Sequence, residues 1–266
     1  MPFTLAHPAA VLPLRRIKYL AFIPMVIGSL TPDLVGYLPD SILDQWPSSH
    51  SKLGSVAVDL PFGLALLVVL LMFRAVVAAP LWEPHRSFVS TGFRRLLATK
   101  HWWFIAIPST FIGVWTHLLW DSFTHQGSWG VRHFRILEIP LTPASEHHWA
   151  LFHALQYASS IAGLAALAIW YGLSVRRSGL TSVDPRPHTL RRKIAIAAIG
   201  AASVAIGLVD LAFESRIESL SNYMTFAVVL TTAMLSFAIL YFIAGSVILF
   251  ADPSAKLEVS RVDKLR

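Results

Sequence analysis

The 266-residue chain contains no cysteine, which excludes disulfide bonds and thiolate metal sites together. Any metal ion would have to be held by His, Asp, Glu or backbone oxygen. Charge is also scarce. Asp, Glu, Lys and Arg make up 14% of the residues, where an ordinary soluble domain carries about 25%. The alternating ten-residue segments of a transmembrane β-barrel are missing. So are the basic start and small-residue cleavage site of a signal peptide, and the amino terminus is therefore expected to be retained. No internal repeat or low-complexity tract is present.

What the chain does have is long apolar runs, with 55% hydrophobic residues and a mean hydropathy of +0.59. Uncharged or nearly uncharged stretches cover 19–32, 54–73, 102–120, 149–175, 194–209 and 224–251. A helix crosses a bilayer in roughly 20 residues. The expected fold is all-α, a polytopic transmembrane helix bundle of about six to seven membrane segments. Pro8 and Pro13 argue against a full-length first helix. Residues 4–37 are read instead as a helical hairpin around the basic turn Arg15-Arg16-Ile17-Lys18. That reading places His7 and Asp33 near one end, whereas a single spanning helix would separate them. Helices are expected over 54–79, 102–122 and 149–175, completing a core of 1–177. A connector at 178–193, a terminal helix pair over 194–251 and a tail at 252–266 follow.

The net charge of +7 does not require nucleic acid, and none is expected as a partner. Basic residues of membrane proteins gather on the cytoplasmic side. Assigning 15–18, 74–100, 176–193 and 252–266 to the cytoplasm accounts for 18 of the 22 Lys and Arg; Lys52, Arg132, Arg135 and Arg216 remain. The expectation is a multi-pass inner-membrane protein with a cytoplasmic carboxyl terminus and with 38–53, 121–148 and 214–223 on the other side.

The most informative stretch is Thr116–His125, at one end of an apolar run. His117, Asp121 and His125 are spaced four apart and share one helix face. Ionisable residues in membrane segments are expensive and are normally kept for function or paired. His-x-x-x-Asp offers one metal ion a nitrogen and an oxygen ligand from one helix. His117 and His125, however, lie about 12 Å apart along an ideal helix. Either the helix stops near Ser122 and His125 folds back, or the site holds two ions. His7, Asp33 and His50 are further candidate ligands, and Asp33 is presented where Pro32 would end or bend its helix. Zinc, with manganese or iron as alternatives, suits such a nitrogen and oxygen set. Asp59, just before Pro61, is a candidate proton acceptor with Asp33; it is equally read as binding backbone groups that Pro61 loosens. His117 with Asp121 can also be read as a plain hydrogen-bonded pair.

A second polar stripe, His153, Gln156, Ser159 and Ser160, shares a face of the helix after the outer loop. It is read as interhelical hydrogen bonding, with a supporting or substrate-contacting role as the alternative. Glu146-His147-His148 just before it can add ligands or anchor the interface. His85, His101, His133 and His188 have no such setting.

These residues resemble a bacterial membrane-protein family called domain of unknown function 4184. The resemblance rests on Met1–Pro13, Gly28–Asp33, His50–Gly54, Asp59-Leu60-Pro61, Thr116–His125 and Leu155–Ser160, and covers about residues 1–175. More distantly, the chain is similar to the inner-membrane metal-dependent hydrolase family, whose amino-terminal His, Pro-Asp, Thr-His-Ser segment and His-x-x-x-Asp helix correspond to His7, Asp33, His50 and His117/Asp121. It departs from that pattern with Pro-Asp-Leu for Pro-Asp-x-Asp and one histidine at His50 for two. The resemblance implies a metal-dependent hydrolase, here expected to act on a lipid or phosphoester at the outer membrane face, with the site toward the non-cytoplasmic side. A proton- or cation-coupled transporter is the alternative, and a non-enzymatic membrane structural protein is the third. The first requires the candidate side chains to gather at one end, within about 8 Å of each other for a shared ion; the second requires them strung across the bilayer. The oligomeric state is left open.

Overall fold

The computed structural model describes residues 3–142, 149–179, 186–214 and 222–251. The tail 252–266, part of the 178–193 connector, Arg216, Glu146, His147 and His148, and the side chain of His188 lie outside them. Among the described residues the chain is helical, with one isolated β-bridge, Pro140 to Ala150, and no strand. Seven helices matter below: α1 Phe22–Val35, α2 Leu60–Met72, α3 His85–Ala98, α4 Trp102–Thr124, α5 Leu151–Arg177, α6 Arg186–Glu214 and α7 Asn222–Ala251. Lys52–Met72, Trp102–Thr124, Leu151–Arg177, Thr189–Phe213 and Val228–Ala251 are long and apolar enough to cross a membrane. The expected helical transmembrane bundle is the observed class.

The hairpin differs from a pair of spans. Its first limb is a tight 3-10 helix, Thr4–Val11, with Pro8 inside it, followed by a single 3-10 turn, Pro13–Arg16. Two prolines without N–H groups deny this limb a regular α-helix. The second limb, α1, has 14 residues and is about 21 Å long, short of the roughly 30 Å hydrocarbon core. The limbs still return to the same end, since His7 Nε2 lies 4.0 Å from Asp33 Oδ2. This geometry excludes the single spanning helix. Pro32 does not end α1 either: the helix continues to Val35 and carries Asp33 in its last turn, fully buried.

Packing divides the chain into two units, Met1–Val69 with Arg95–Arg177, and Leu70–Arg94 with Ser178–Arg266. In the first, α1 and α4 cross at backbone contact. A Cβ on Gly28 would lie 2.0 Å from the Thr110 carbonyl oxygen, and one on Gly113 would lie 2.2 Å from that of Met25. Lipid gives apolar helices no hydrophobic reason to associate, so small residues that let backbones touch supply the attraction. Ser109 reinforces the crossing by accepting the Ala21 N–H, 2.9 Å away. Ser160 on α5 accepts the Phe3 N–H at 3.1 Å and ties down the first limb.

The expected 54–79 helix begins earlier and is broken. Ser51 caps Lys52–Gly54 through the Gly54 N–H, a π-helical turn covers Ser55–Asp59, α2 follows, and Phe73 interrupts before Arg74–Ala78. The 74–100 stretch, assigned to the cytoplasm from its basic residues, contains α3; Phe93 and Leu96 are buried while Arg95 between them is exposed. In the second unit α6 and α7 pair, with Gly207 against the Val229 backbone and Thr232 Oγ1 donating to Asp210 Oδ2 at 2.6 Å. Asp210 is thus a helix-pairing group.

Replacing Gly113 with alanine puts a methyl group into the Met25 backbone. The variant is expected to lose about 1–3 kcal/mol of stability, read as an earlier unfolding transition of the detergent-purified protein.

Candidate metal centre

The site forms where the carboxyl ends of α1 and α4 meet the entry to α2. Asp33 comes from the last turn of α1, and His117 and Asp121 from the last two turns of α4. His50 comes from the Ser48–Ser51 loop, which folds so closely over Gly54 that a Cβ there would lie 1.9 Å from the Ser48 carbonyl oxygen. One ligand atom from each of Asp33, His50, His117 and Asp121 lies within 4.8 Å of the other three. His7, from the first limb, joins them.

Three of the four spacings between the His50 and His117 imidazoles and the two carboxylates are longer than hydrogen bonds and match ligands around a common centre; only His117 to Asp121 falls within hydrogen-bond range. His117 Nε2 is 3.5 Å from Asp33 Oδ1 and 3.2 Å from Asp121 Oδ2. His50 Nε2 is 3.8 and 3.5 Å from the same two oxygens. Charge-assisted N–H to carboxylate bonds run about 2.7–2.9 Å. Ligand bonds of about 2.0–2.2 Å at tetrahedral angles instead separate neighbouring donor atoms by about 3.3–3.6 Å. Both oxygens of Asp33, both of Asp121, His117 Nε2 and both nitrogens of His7 are buried without a hydrogen-bond partner. A native structure rarely leaves so many polar atoms orphaned unless a ligand belongs there.

Neighbouring groups aim the rings. His117 Nδ1 lies 2.8 Å from the Ser29 carbonyl oxygen, which only accepts, so the proton sits on Nδ1 and Nε2 keeps its lone pair for the centre. Ser49 Oγ, 3.0 Å from His50 Nδ1, gives its own proton to the Pro32 carbonyl at 3.3 Å and is thereby free to accept from Nδ1. Ser29 and Ser49 were not singled out from the sequence. Ser29 stands inside the Gly28–Asp33 motif and Ser49 directly precedes His50–Gly54, but nothing in a sequence says which polar group will face a given ring.

His125 resolves the helix-rise problem. α4 stops at Thr124, and His125 turns out of it with extended dihedrals, φ −114° and ψ 135°. Its Nδ1 comes back to within 3.7 Å of Asp121 Oδ1, but it also lies 3.2 Å from the Asp121 carbonyl oxygen. An N–H must make that second contact, so this nitrogen supports Asp121 and is not offered as a ligand. Burial holds His125 below the ordinary imidazole range, against the opposing pull of Asp121.

The remaining candidates divide. Asp59, fully buried in the π-helical turn, has no hydrogen-bond partner for either oxygen, so it does not bind backbone groups freed by Pro61. It stands outside the four-residue group. In the α5 stripe, Ser159 Oγ accepts from Trp120 Nε1 at 3.3 Å, and Ser160 Oγ accepts the Phe3 N–H and donates to the Gln156 carbonyl of its own helix. Gln156 is buried beside them, and His153 Nδ1 accepts its own helix's Ala150 N–H at 3.2 Å. His85 meets Trp82 edge to face, His133 stacks on Trp129, and His101 precedes α4 with positive φ.

Fold and site together define a helical membrane protein with a buried His/Asp centre that can hold a metal ion. A family model described as Domain of unknown function (DUF4184) matches residues 1–250, and the chain belongs to that family. The match reaches beyond the motifs of the first 175 residues into the terminal helix pair. No curated protein and no solved structure matches.

Two buried carboxylates facing one another repel when nothing cationic lies between them. In metal-free protein, Asp33→Asn is therefore expected to raise the unfolding temperature. Zinc at a hundred times its dissociation constant is expected to stabilise the unsubstituted chain by about 2.7 kcal/mol and the variant by much less. Thermal unfolding with and without zinc measures both.

Proposed function

We propose that this protein is a metal-dependent hydrolase that cleaves an ester or phosphoester bond of a membrane lipid at the non-cytoplasmic face. The observation that carries the reading is the gathering of Asp33, His50, His117 and Asp121 ligand atoms within 4.8 Å. A cation path would have strung them along the bilayer depth. The donor set is two carboxylates and two imidazoles, which suits zinc, with manganese or iron as alternatives.

A divalent cation held there supplies Lewis acidity and brings the pKa of a water toward ~7. The protein's own groups do the rest. The Ser29 carbonyl fixes the His117 tautomer, and Asp33 and Asp121 contribute the negative charge that retains the cation. Asp33 turns both oxygens toward imidazoles and so is a ligand. That leaves Asp59 as the acceptor of the attacking water's proton, on one of its two unpartnered oxygens.

A lipid substrate is supported by a cavity of about 350 Å³ that His7 helps to line. Its walls are mostly small and apolar, including Ala6, Ala162 and Ala166, with Trp120, Ser159 and Ser160 also lining it. A hydrocarbon chain fits such a surface, and His7 belongs both to the groove and to the carboxylate cluster. The orientation follows from the positive-inside distribution, which sets the basic segments opposite the 121–148 loop.

Asp121→Ala is expected to abolish stoichiometric metal, measured by elemental analysis of the purified protein, together with hydrolysis. A chain that carries no metal and loses nothing on this substitution would sink the idea. Because ligand imidazoles must be unprotonated, acidification is expected to release the metal, measured by elemental analysis of protein dialysed at successively lower pH. Ala166→Phe, at an exposed position on the groove, is expected to slow turnover of a long-chain lipid while sparing a short soluble ester, compared by kcat/KM.

A further inference from the structure

We infer that the centre is built for two divalent cations side by side, with Asp33 and Asp121 bridging them. The inference rests on the metal-dependent reading above and goes beyond it in ion number and substrate class. The two carboxylates split their oxygens in the same way. Asp33 Oδ1 and Asp121 Oδ2 face His50 and His117, at 3.2 to 3.8 Å. Asp33 Oδ2 and Asp121 Oδ1 face His7 Nε2 instead, at 4.0 and 3.6 Å. Each carboxylate thus gives one oxygen to a set containing His50 and His117 and the other to a set containing His7.

The imidazoles agree with that division. The rings of His7 and His117 stack at 3.8 Å between centroids and 26° between planes. Both direct Nε2 toward the same two carboxylates. Two nearly parallel ligand rings at this separation suit ions about 3.5–4 Å apart, the spacing of two-ion phosphoester hydrolysis sites. A single ion in the His50/His117 set would leave His7 without a task. The residue is 4% exposed, neither ring nitrogen has a hydrogen-bond partner, and its approaches to Asp33 and Asp121 are too long for hydrogen bonds. A second ion gives Nε2 its partner.

The second position has three protein ligands, His7, Asp33 and Asp121, which leaves coordination open to an outside group. Charge selects that group. Two divalent cations exceed the charge of the two bridging carboxylates, so the centre is electropositive and fits an anion. A phosphoester, rather than a neutral carboxylic ester, is the substrate class this favours.

The test is metal counting and manganese electron paramagnetic resonance on the full-length chain in detergent, loaded with Mn²⁺ alone. Two ions per chain with an exchange-coupled spectrum are expected. His7→Ala and His50→Ala are each expected to retain one ion and to lose the coupling, with helix content by circular dichroism as the folding control. Inorganic phosphate, added as the probe, is expected to perturb the coupled spectrum and to bind the His7→Ala protein about tenfold or more weakly. One uncoupled ion in the unsubstituted chain, indifferent to His7→Ala, overturns the two-ion centre and leaves the single-ion reading standing. Two uncoupled ions place the second elsewhere and overturn it also. No bound metal overturns both.

Discussion

Two carboxylates, Asp33 and Asp121, are buried face to face with no hydrogen bond to either. Burial of an unpaired carboxylate normally ends in its neutralisation or in the recruitment of a partner. Here the partners are imidazole nitrogens that stand off at ligand spacing, and the surrounding architecture serves to keep them there. The α1/α4 crossing sets the separation of the two aspartates. Gly28 and Gly113 make that crossing a backbone contact, so neither helix can shift without a steric collision. The same crossing brings the Ser29 carbonyl to His117 Nδ1, and packing and tautomer choice become one event.

The other ligands reach the centre from irregular backbone. His7 lies on a proline-containing 3-10 segment and His50 on a tight serine-rich loop. Non-helical backbone is tolerated at membrane depth only where protein or a cavity surrounds it. The short hairpin meets that condition through the Phe3 and Ala21 amides, which Ser160 and Ser109 accept. The small side chains of α5 that allow this docking also shape the groove beside His7.

Much of the arrangement was legible in the residue order. Apolar runs gave the helices, and the four-residue spacing of His117 and Asp121 gave a shared face. Prolines 8 and 13 gave a hairpin in place of a span. Other features were not legible. Pro32 reads as a helix end, yet α1 runs past it, because packing against α4 holds the last turn. The basic residues of 74–100 speak for its side of the membrane and not for its conformation, and α3, with Phe93 and Leu96 buried, went unexpected. His125 shares its periodicity with two ligand candidates, but helical periodicity ends where the helix does, and α4 ends one residue before it.

Composition and spacing by themselves determined that this is a helical membrane protein without thiol chemistry, carrying a small set of His and Asp residues in apolar segments. Those properties belong to hydropathy and to the period of one helix, which are local. Tertiary structure alone decided which oxygen of each aspartate faces which imidazole and that His7 stacks on His117. Such choices are made at the ångström scale by contacts between residues 84 to 114 positions apart, such as His117 with Asp33 and His7 with Asp121. No local pattern encodes them.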